Sequence, residues 1–184
     1  MENTHFFLAI PISKEIKEII HRWREQHHSN WTFKRWVHKE DYHITLVFLG
    51  NATKEQRQAL DNRLKEKIVH VKPFELTLSS LGVFGKPERP RILWGGVEQS
   101  SPLHELQHMV ARICYEVGFT IETRAYKPHI TIARQWSGQQ PFDLPLTPLT
   151  DKVNTWQVNE LVLYQTHLQR SPKYEAILQF PFQN

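Results

Sequence analysis

The sequence predicts an α+β fold in which two similar units pack together as the two lobes of one domain, residues 1–184. Each unit reads as an apolar strand, a capped helix and a second strand with the pattern His-x-Thr-x, at residues 43–46 and again at 129–132. The candidate helix N-caps, Ser13 and Ser101, precede the two motif histidines by nearly the same number of residues. No linker rich in Gly or Ser separates the units, so one domain with a shared core is expected.

The first unit opens with an apolar run at residues 6–10, which is typical of a buried strand and is closed by Pro11. Ser13 then caps a predicted helix. Residues 32–37 read as a short strand, and residues 43–49 as a longer one that ends at Gly50. The apolar stripe of the helix consists of Ile16, Ile19, Ile20 and Trp23.

Between the two motifs, Thr53 is the predicted N-cap of a polar helix that runs to about residue 69. Residues 74–78 alternate between apolar and polar, as in a half-buried strand. A loop rich in Pro and basic residues is expected at 86–91, before a strand at 92–94. The pair Gly95 and Gly96 closes or bends that strand.

The second unit starts with a helix capped by Ser100 or Ser101 and ended by Gly118. A strand at 129–133 carries the second motif, and a Pro-rich loop at 139–148 follows it. Two further strands, at about 157–166 and 174–182, complete the chain. The core face of the helix consists of Leu103, Leu106, Val110, Ile113 and Val117.

Composition favours a cytoplasmic protein with an anionic ligand. The formal charge of +4 and pI near 9.2 would help such a ligand approach. The only cysteine, Cys114, excludes an intrachain disulfide and suits a reducing compartment. No apolar run approaches the roughly 20 residues that cross a bilayer, and residues 1–12 lack the features of a secretion signal. We therefore expect no membrane partner, and nothing in the sequence requires more than a monomer.

The two motifs predict a site for acid and base catalysis. Residues i and i+2 of a strand share a face, so His43 and Thr45 point the same way, as do His129 and Thr131. If the two strands lie side by side, these four polar groups converge in one cleft. One imidazole can be neutral while the other is protonated near neutral pH, and threonine hydroxyls can donate hydrogen bonds to a charged phosphoryl group. Neither role needs a metal or a cofactor.

Residues 43–50, HITLVFLG, resemble the first motif of the two-histidine (2H) phosphoesterase superfamily, and residues 126–134, YKPHITIAR, resemble its second. The opening strand, FFLAI, is similar to that of the bacterial RNA 2',3'-cyclic phosphodiesterases, also called 2'-5' RNA ligases. The likeness covers essentially the whole chain. It implies a bilobal, pseudo-twofold duplicated fold, with two antiparallel sheets lining a central cleft and helices packed outside.

The same resemblance implies hydrolysis of RNA 2',3'-cyclic phosphate ends to a 2'-phosphate. By carry-over, His43 is the proton donor to the leaving 3' oxygen and His129 accepts a proton from water. An RNA-end binding protein on the same fold, or weak 2'-5' ligation in the same cleft, remain alternatives. Spacing does not decide between the two histidines, because pseudo-symmetry would allow the roles to be exchanged.

Arg134 matches the basic residue after the second motif and could bind phosphate through its guanidinium. Strict alternation would point it away from the cleft, with Ile130 and Ile132, unless a strand end or bulge turns it inward. Arg124 and Lys127 are candidates for contacts with an RNA backbone, or are solvated loop charges.

Two other patterns offer competing functions. Residues 104–108 fit His-Glu-x-x-His, in which His104 and His108 could bind zinc with Glu105 as base, although no third ligand is evident. Residues 31–36 interleave Trp and Phe with Lys and Arg, which could stack bases or belong to the core.

Overall fold

The computed structural model describes residues 5–144, 149 and 152–183. The end of the predicted Pro-rich loop, residues 145–148, lies outside these residues. No helix in the described ranges is both long enough and apolar enough to cross a bilayer. The elements, in chain order, are β1 (Phe6–Pro11), α1 (Lys14–His27), β2 (Phe33–Trp36), a 3-10 turn (Lys39–Asp41), β3 (His43–Gly50), α2 (Lys54–Ile68), β4 (Phe74–Lys86), β5 (Arg89–Val97), α3 (Ser101–Glu116), β6 (His129–Trp136), β7 (Thr155–Val158), β8 (Glu160–Thr166) and β9 (Tyr174–Pro181).

Each helix begins where a hydroxyl side chain accepts a bond from an otherwise unpaired backbone N–H. The Ser13 hydroxyl accepts from Ile16 N at 3.3 Å in α1. Thr53 and Gln56 form a reciprocal capping box in α2. Of the two candidates for α3, Ser100 is the N-cap. The predicted helix starts are therefore confirmed.

The strands pair in the order β7-β4-β5-β6-β3-β1-β8-β9, with β2 beside β6, and every pairing is antiparallel. This arrangement confirms the α+β class. The two sheets expected from the resemblance meet edge to edge, because β3 pairs with β6 at Ile44 and Ile130. The two lobes are thus the halves of one hydrogen-bonded sheet, and the motif strands lie at its centre.

The core lies behind these central strands. Ile44, Ile130 and Ile132 are fully buried and share one apolar cluster with the inner faces of the helices. Helix α3 packs on β3, where the Gln107 amide donates to Leu46 O at 3.5 Å. The apolar positions of both motifs therefore anchor their strands, as alternation predicts, and leave the other face to polar groups.

Two predicted boundaries were wrong. Residues 86–91 are not a loop: β4 runs to Lys86 and β5 starts at Arg89, forming a hairpin in which Gly85 has a φ of 97°. The predicted strand at 157–166 is two strands that break at Asn159, because β7 pairs with β4 and β8 pairs with β1. Apolar periodicity does not reveal a change of partner strand.

Candidate active site

The motif strands bring their polar residues together. With Ile44 opposite Ile130 in an antiparallel pair, continuing the register places His43 beside Thr131 and Thr45 beside His129. All four side chains are half-buried on the face opposite the helices. The predicted convergence is therefore present at the junction of the two lobes.

The two imidazoles are held in equivalent ways. Nδ1 of His43 lies 2.7 Å from Asp41 O, and Nδ1 of His129 lies 2.7 Å from Lys127 O. Because a carbonyl oxygen can only accept, each Nδ1–H donates, and Nε2 is the unprotonated nitrogen of the neutral ring. Nε2 of His43 accepts from the Thr45 hydroxyl at 2.9 Å.

Both histidines are neutral near pH 7 in the free protein. Burial lowers the pKa of His43 to about 4, and the charges of Arg134, His129 and Lys17 act in the same direction. Burial also lowers the pKa of His129, with Arg134 and Lys127 adding to the effect. Only the backbone bond at each Nδ1 opposes the shift.

A β-bulge turns Arg134 into the cleft. Trp94 lies opposite Thr131 and Leu93 opposite Ala133, so Ile132 has no counterpart on β5. The extra residue reverses the alternation, and Arg134 comes to the same face as Thr131. Its charge accordingly lowers the pKa of both histidines.

The first motif strand contains the same bulge. Leu8 lies opposite Val47 and Ala9 opposite Thr45, which leaves Leu46 without a counterpart on β1. Phe48 thereby takes the position that Arg134 occupies on β6, and its side chain is 62% exposed. Its ring lies beside that of Phe7, with the two ring centroids 6.1 Å apart, and so adds apolar surface to the face that carries His43.

Aromatic side chains flank His43 on one side of the cleft. Its ring centroid lies 4.8 Å from that of Phe7 and 5.1 Å from that of Tyr174, which meets it edge-on. Tyr164 stacks on Phe7 at 5.3 Å. These rings exclude water from the imidazole, which is the physical source of its low pKa.

A second aromatic wall flanks His129. Phe84 meets the imidazole edge-on at 4.8 Å, and Nζ of Lys127 lies 4.7 Å from the Trp94 ring centroid. The Trp94 ring lies across Gly82, where a Cβ would come within 2.2 Å of it. Glycine at position 82 is therefore what allows the indole to line the cleft.

The His-Glu-x-x-His pattern at residues 104–108 finds little support as a zinc site. His104 bonds through Nδ1 to Ser100 O at 2.8 Å and packs edge-on against Tyr126. No group of three His, Cys, Asp or Glu in the described part of the chain could hold a metal ion. Within those residues, His104 and His108 therefore have no third ligand beside them.

The aromatic residues at 31–36 belong to the core, so base stacking there is not supported. Phe33 is buried, and its ring contacts Trp36, Trp136 and Phe142. Among the other candidates, Arg124 forms an ion pair with Glu122. Sequence reasoning missed Tyr174, Phe48 and Asp41, because none of them belongs to a polar motif position.

Paired imidazoles and hydroxyls on adjacent antiparallel strands define the two-histidine class of phosphoesterase. Comparison with known proteins agrees: the family described as LigT like phosphoesterase matches residues 10–94 and 96–174. The chain belongs to this family.

Several relatives share most of this sequence. A protein of Geobacillus stearothermophilus named RNA 2',3'-cyclic phosphodiesterase is 40% identical over 182 residues, covering 98% of this chain and 58% of the relative. This chain thus spans less than two thirds of that relative. A protein of Bacillus subtilis with the same name is 34% identical, covering 96% of this chain and 95% of the relative. The crystal structure of E. coli LigT complexed with 3'-AMP has a TM-score of 0.82 at 26% identity, with 100% of both chains covered.

Proposed function

We propose that this protein hydrolyses the 2',3'-cyclic phosphate end of RNA to a 2'-phosphate, by metal-independent acid and base catalysis. One observation supports this above the others: the antiparallel register at Ile44 and Ile130 places two equivalently tethered imidazoles on one face. In each, the bond at Nδ1 leaves Nε2 as the unprotonated nitrogen of the neutral ring. Relatives named for this reaction support the same choice.

In the proposed reaction, Nε2 of His129 accepts a proton from a water molecule, whose oxygen attacks phosphorus. The bond from phosphorus to the 3' oxygen breaks, and His43 donates a proton to that oxygen. The phosphate stays on the 2' oxygen. The choice of His43 as donor follows from the resemblance to the family, since the two imidazoles have equivalent backbone bonds.

Substrate binding raises the pKa of the donor, so that His43 takes up from solvent the proton it later transfers. His43 is neutral in the free site, partly because the positive charge of Arg134 lowers its pKa. A phosphate anion bound beside Arg134 offsets that charge and raises the pKa again. Protonation of Nε2 also removes the acceptor for the Thr45 hydroxyl, which can then donate to a non-bridging phosphoryl oxygen.

Arg134 and Thr131 complete the phosphate site in this proposal. The guanidinium can bind two phosphoryl oxygens through its planar fork. The Thr131 hydroxyl lies on the same face of β6, one bulge away. The backbone of both residues is fixed by the sheet before substrate binds, which limits the reorganisation needed in the transition state.

Positive charge on β6 and on the strands and loops next to it suits an RNA strand. Several cations on β2, β6, the loop before β6 and the β4–β5 hairpin form no ion pair within the described residues. Such residues can neutralise phosphates. On the opposite side, the exposed ring of Phe48 offers a surface on which a nucleobase can stack. The cations are Lys34, Arg35, Lys86, Arg89, Arg91, Lys127 and Arg134.

We also propose that the protein acts in the cytoplasm as a monomer. Its free thiol, Cys114, is fully buried, and burial raises the thiol pKa to about 12. Such a thiol is unreactive and fits a reducing compartment.

The test is turnover of a short RNA ending in a 2',3'-cyclic phosphate, in excess EDTA, with the position of the product phosphate mapped. We expect a 2'-phosphate from the wild type and from His108→Ala, which removes an exposed histidine of the zinc-like pattern. Activity that appears only when zinc is added would overturn the proposal. Binding of the RNA end without turnover would favour the RNA-end binding role, and joining of ends would reveal the reverse, ligase reaction.

A further inference from the structure

Two arginines lie directly opposite each other in the sheet. β2 pairs with the second half of β6 in an antiparallel register that sets Arg35 opposite Arg134 and Trp36 opposite Ala133. Residues directly opposite each other have their side chains on the same face, with Cβ atoms about 5 Å apart. Because the bulge turns Arg134 into the cleft, Arg35 points into the cleft beside it.

Alternation along β2 gives Arg35 the same orientation. The ring centroid of Trp36 lies 5.7 Å from the guanidinium carbon of Arg24 on α1, so Trp36 faces the helices and Arg35 faces the cleft. The alternation ends one residue further along β6, at Gln135, whose φ is 60°. Beyond that residue, Phe33 is buried in the core.

Both arginines also act on the ring that flanks His43. Burial raises the pKa of Tyr174, and the charge of Arg134 and, more weakly, that of Arg35 oppose this shift. The Tyr174 ring meets His43 edge-on, with the two centroids 5.1 Å apart. The register and this electrostatic effect agree that Arg35 lies on the His43 side of the cleft.

The positive charges of this pair are not neutralised by a carboxylate. Neither guanidinium forms an ion pair within the part of the chain that the structure describes. Like charges directly opposite each other destabilise a sheet. A bound anion would remove this repulsion, so the pair is suited to a ligand that carries negative charge.

The two arginines differ in depth. Arg134 is half-buried and follows the catalytic motif, whereas Arg35 is exposed, at the rim of the cleft. A cyclic phosphate diester carries one negative charge, which one guanidinium balances. The second guanidinium needs a second phosphate, and in RNA the next one is the phosphodiester that joins the terminal nucleotide to its 5' neighbour.

We propose that Arg35 is a specificity-determining residue that binds this upstream phosphodiester, while Arg134 binds the cyclic phosphate. This inference rests on the proposed function and narrows its substrate class. Oligonucleotides should be cleaved in preference to nucleoside 2',3'-cyclic phosphates, because a nucleoside cyclic phosphate has no upstream phosphodiester for Arg35 to bind.

The test uses two dinucleotides that end in a 2',3'-cyclic phosphate and differ only in their linkage, a phosphodiester or an uncharged methylphosphonate. With the phosphodiester, Arg35→Gln should lower kcat/KM by roughly 10-fold, as for a lost hydrogen bond to a charged group. With the methylphosphonate, it should change nothing, since interacting groups are non-additive. Arg35→Lys keeps the charge without the planar fork and should recover part of the loss.

The matched control is Arg22→Gln, which makes the same change in net charge. Arg22 is an exposed arginine on α1, and its variant should keep the wild-type kcat/KM with both dinucleotides. Equal losses with both linkages in Arg35→Gln would overturn the proposal, because Arg35 would then act on the cyclic phosphate or on the fold. Full activity of Arg35→Gln with the phosphodiester would overturn it as well.

A second readout needs no turnover. Binding of the same two dinucleotides ending in a 2'-phosphate should show a Kd raised roughly 10-fold in Arg35→Gln for the phosphodiester alone. This difference in a protein that cleaves neither cyclic phosphate would keep the role of Arg35 and reject the proposed function. Cleavage without any difference between the linkages would keep the proposed function and reject the role of Arg35.

Discussion

The two motif strands, β3 and β6, are built alike and differ at one informative position. Each carries an imidazole tethered through Nδ1 to a backbone carbonyl two residues earlier, and each has a bulge directly after its threonine. Beyond the bulge, β3 presents Phe48 and β6 presents Arg134. The duplicated geometry thus supplies two equivalently held imidazoles, and the side chain after the bulge gives the cleft an apolar end and a cationic end.

Substitution of either motif histidine, the feature that β3 and β6 share, should cause the largest loss of activity. His43→Ala or His129→Ala removes one proton-transfer group, and each should lower kcat by roughly 100- to 10,000-fold, the usual contribution of a general acid or base. Single-turnover assays on cyclic-phosphate RNA measure the loss. A tenfold loss for one variant and a complete loss for the other would mean that only one imidazole takes part.

Substitution of Arg134, at the cationic end of the cleft, should cause the next largest loss of activity. Arg134→Gln removes the fork that binds phosphate, and we expect kcat/KM to fall by roughly 10- to 100-fold, as for a lost hydrogen bond to a charged group. Arg134→Lys keeps the charge without the planar fork and should recover only part of the loss. Full activity in Arg134→Gln would show that the bulge on β6 has no functional consequence.

The apolar end should have a smaller effect, confined to binding. Phe48→Ala should raise KM by about 10-fold with little change in kcat, because stacking is lost before and in the transition state alike. Phe48→Tyr should behave as the wild type. Tyr115→Ala removes another exposed aromatic ring, on α3, and serves as the control. An unchanged KM in Phe48→Ala would show that no nucleobase stacks on this ring.

The smallest expected effect is on the free energy of unfolding, and it arises from His43 only at acidic pH. The folded-state pKa of His43, about 4, lies below its unfolded value of about 6.5. The unfolded chain therefore binds the proton more readily, and the stability present above pH 6.5 is lost as pH falls toward 4. Between pH 7 and pH 5, the free energy of unfolding should fall by roughly 1 to 2 kcal/mol less in His43→Gln than in the wild type. Urea denaturation at both pH values measures this, and equal losses would contradict the low pKa.

Local patterns in the sequence were sufficient for much of this picture. Alternation around His43 and His129 predicts the two strands and their polar face, and hydroxyl residues predict the helix starts. These features depend on neighbours within a few residues. The arrangement of the two lobes around one cleft was predicted from the resemblance to a known family.

Features that depend on distant strands could not be predicted. Strict alternation placed Arg134 on the wrong face, because the bulge at Ile132 is visible only in its pairing with β5. Tyr174 and Asp41 reach the site through bonds that span more than 130 residues. No spacing rule connects residues so far apart, and neither residue type is unusual where it stands.

The central claim is that the two equivalent histidines take opposite proton-transfer roles, and the pH dependence of kcat and kcat/KM in excess EDTA tests it most directly. We predict bell-shaped profiles, because one imidazole must be neutral and the other protonated. The alkaline limb of kcat/KM, which reports the free protein, should lie at lower pH than that of kcat, since bound phosphate raises the donor's pKa. A rate that rises with pH to a plateau, with no alkaline limb, would contradict the account.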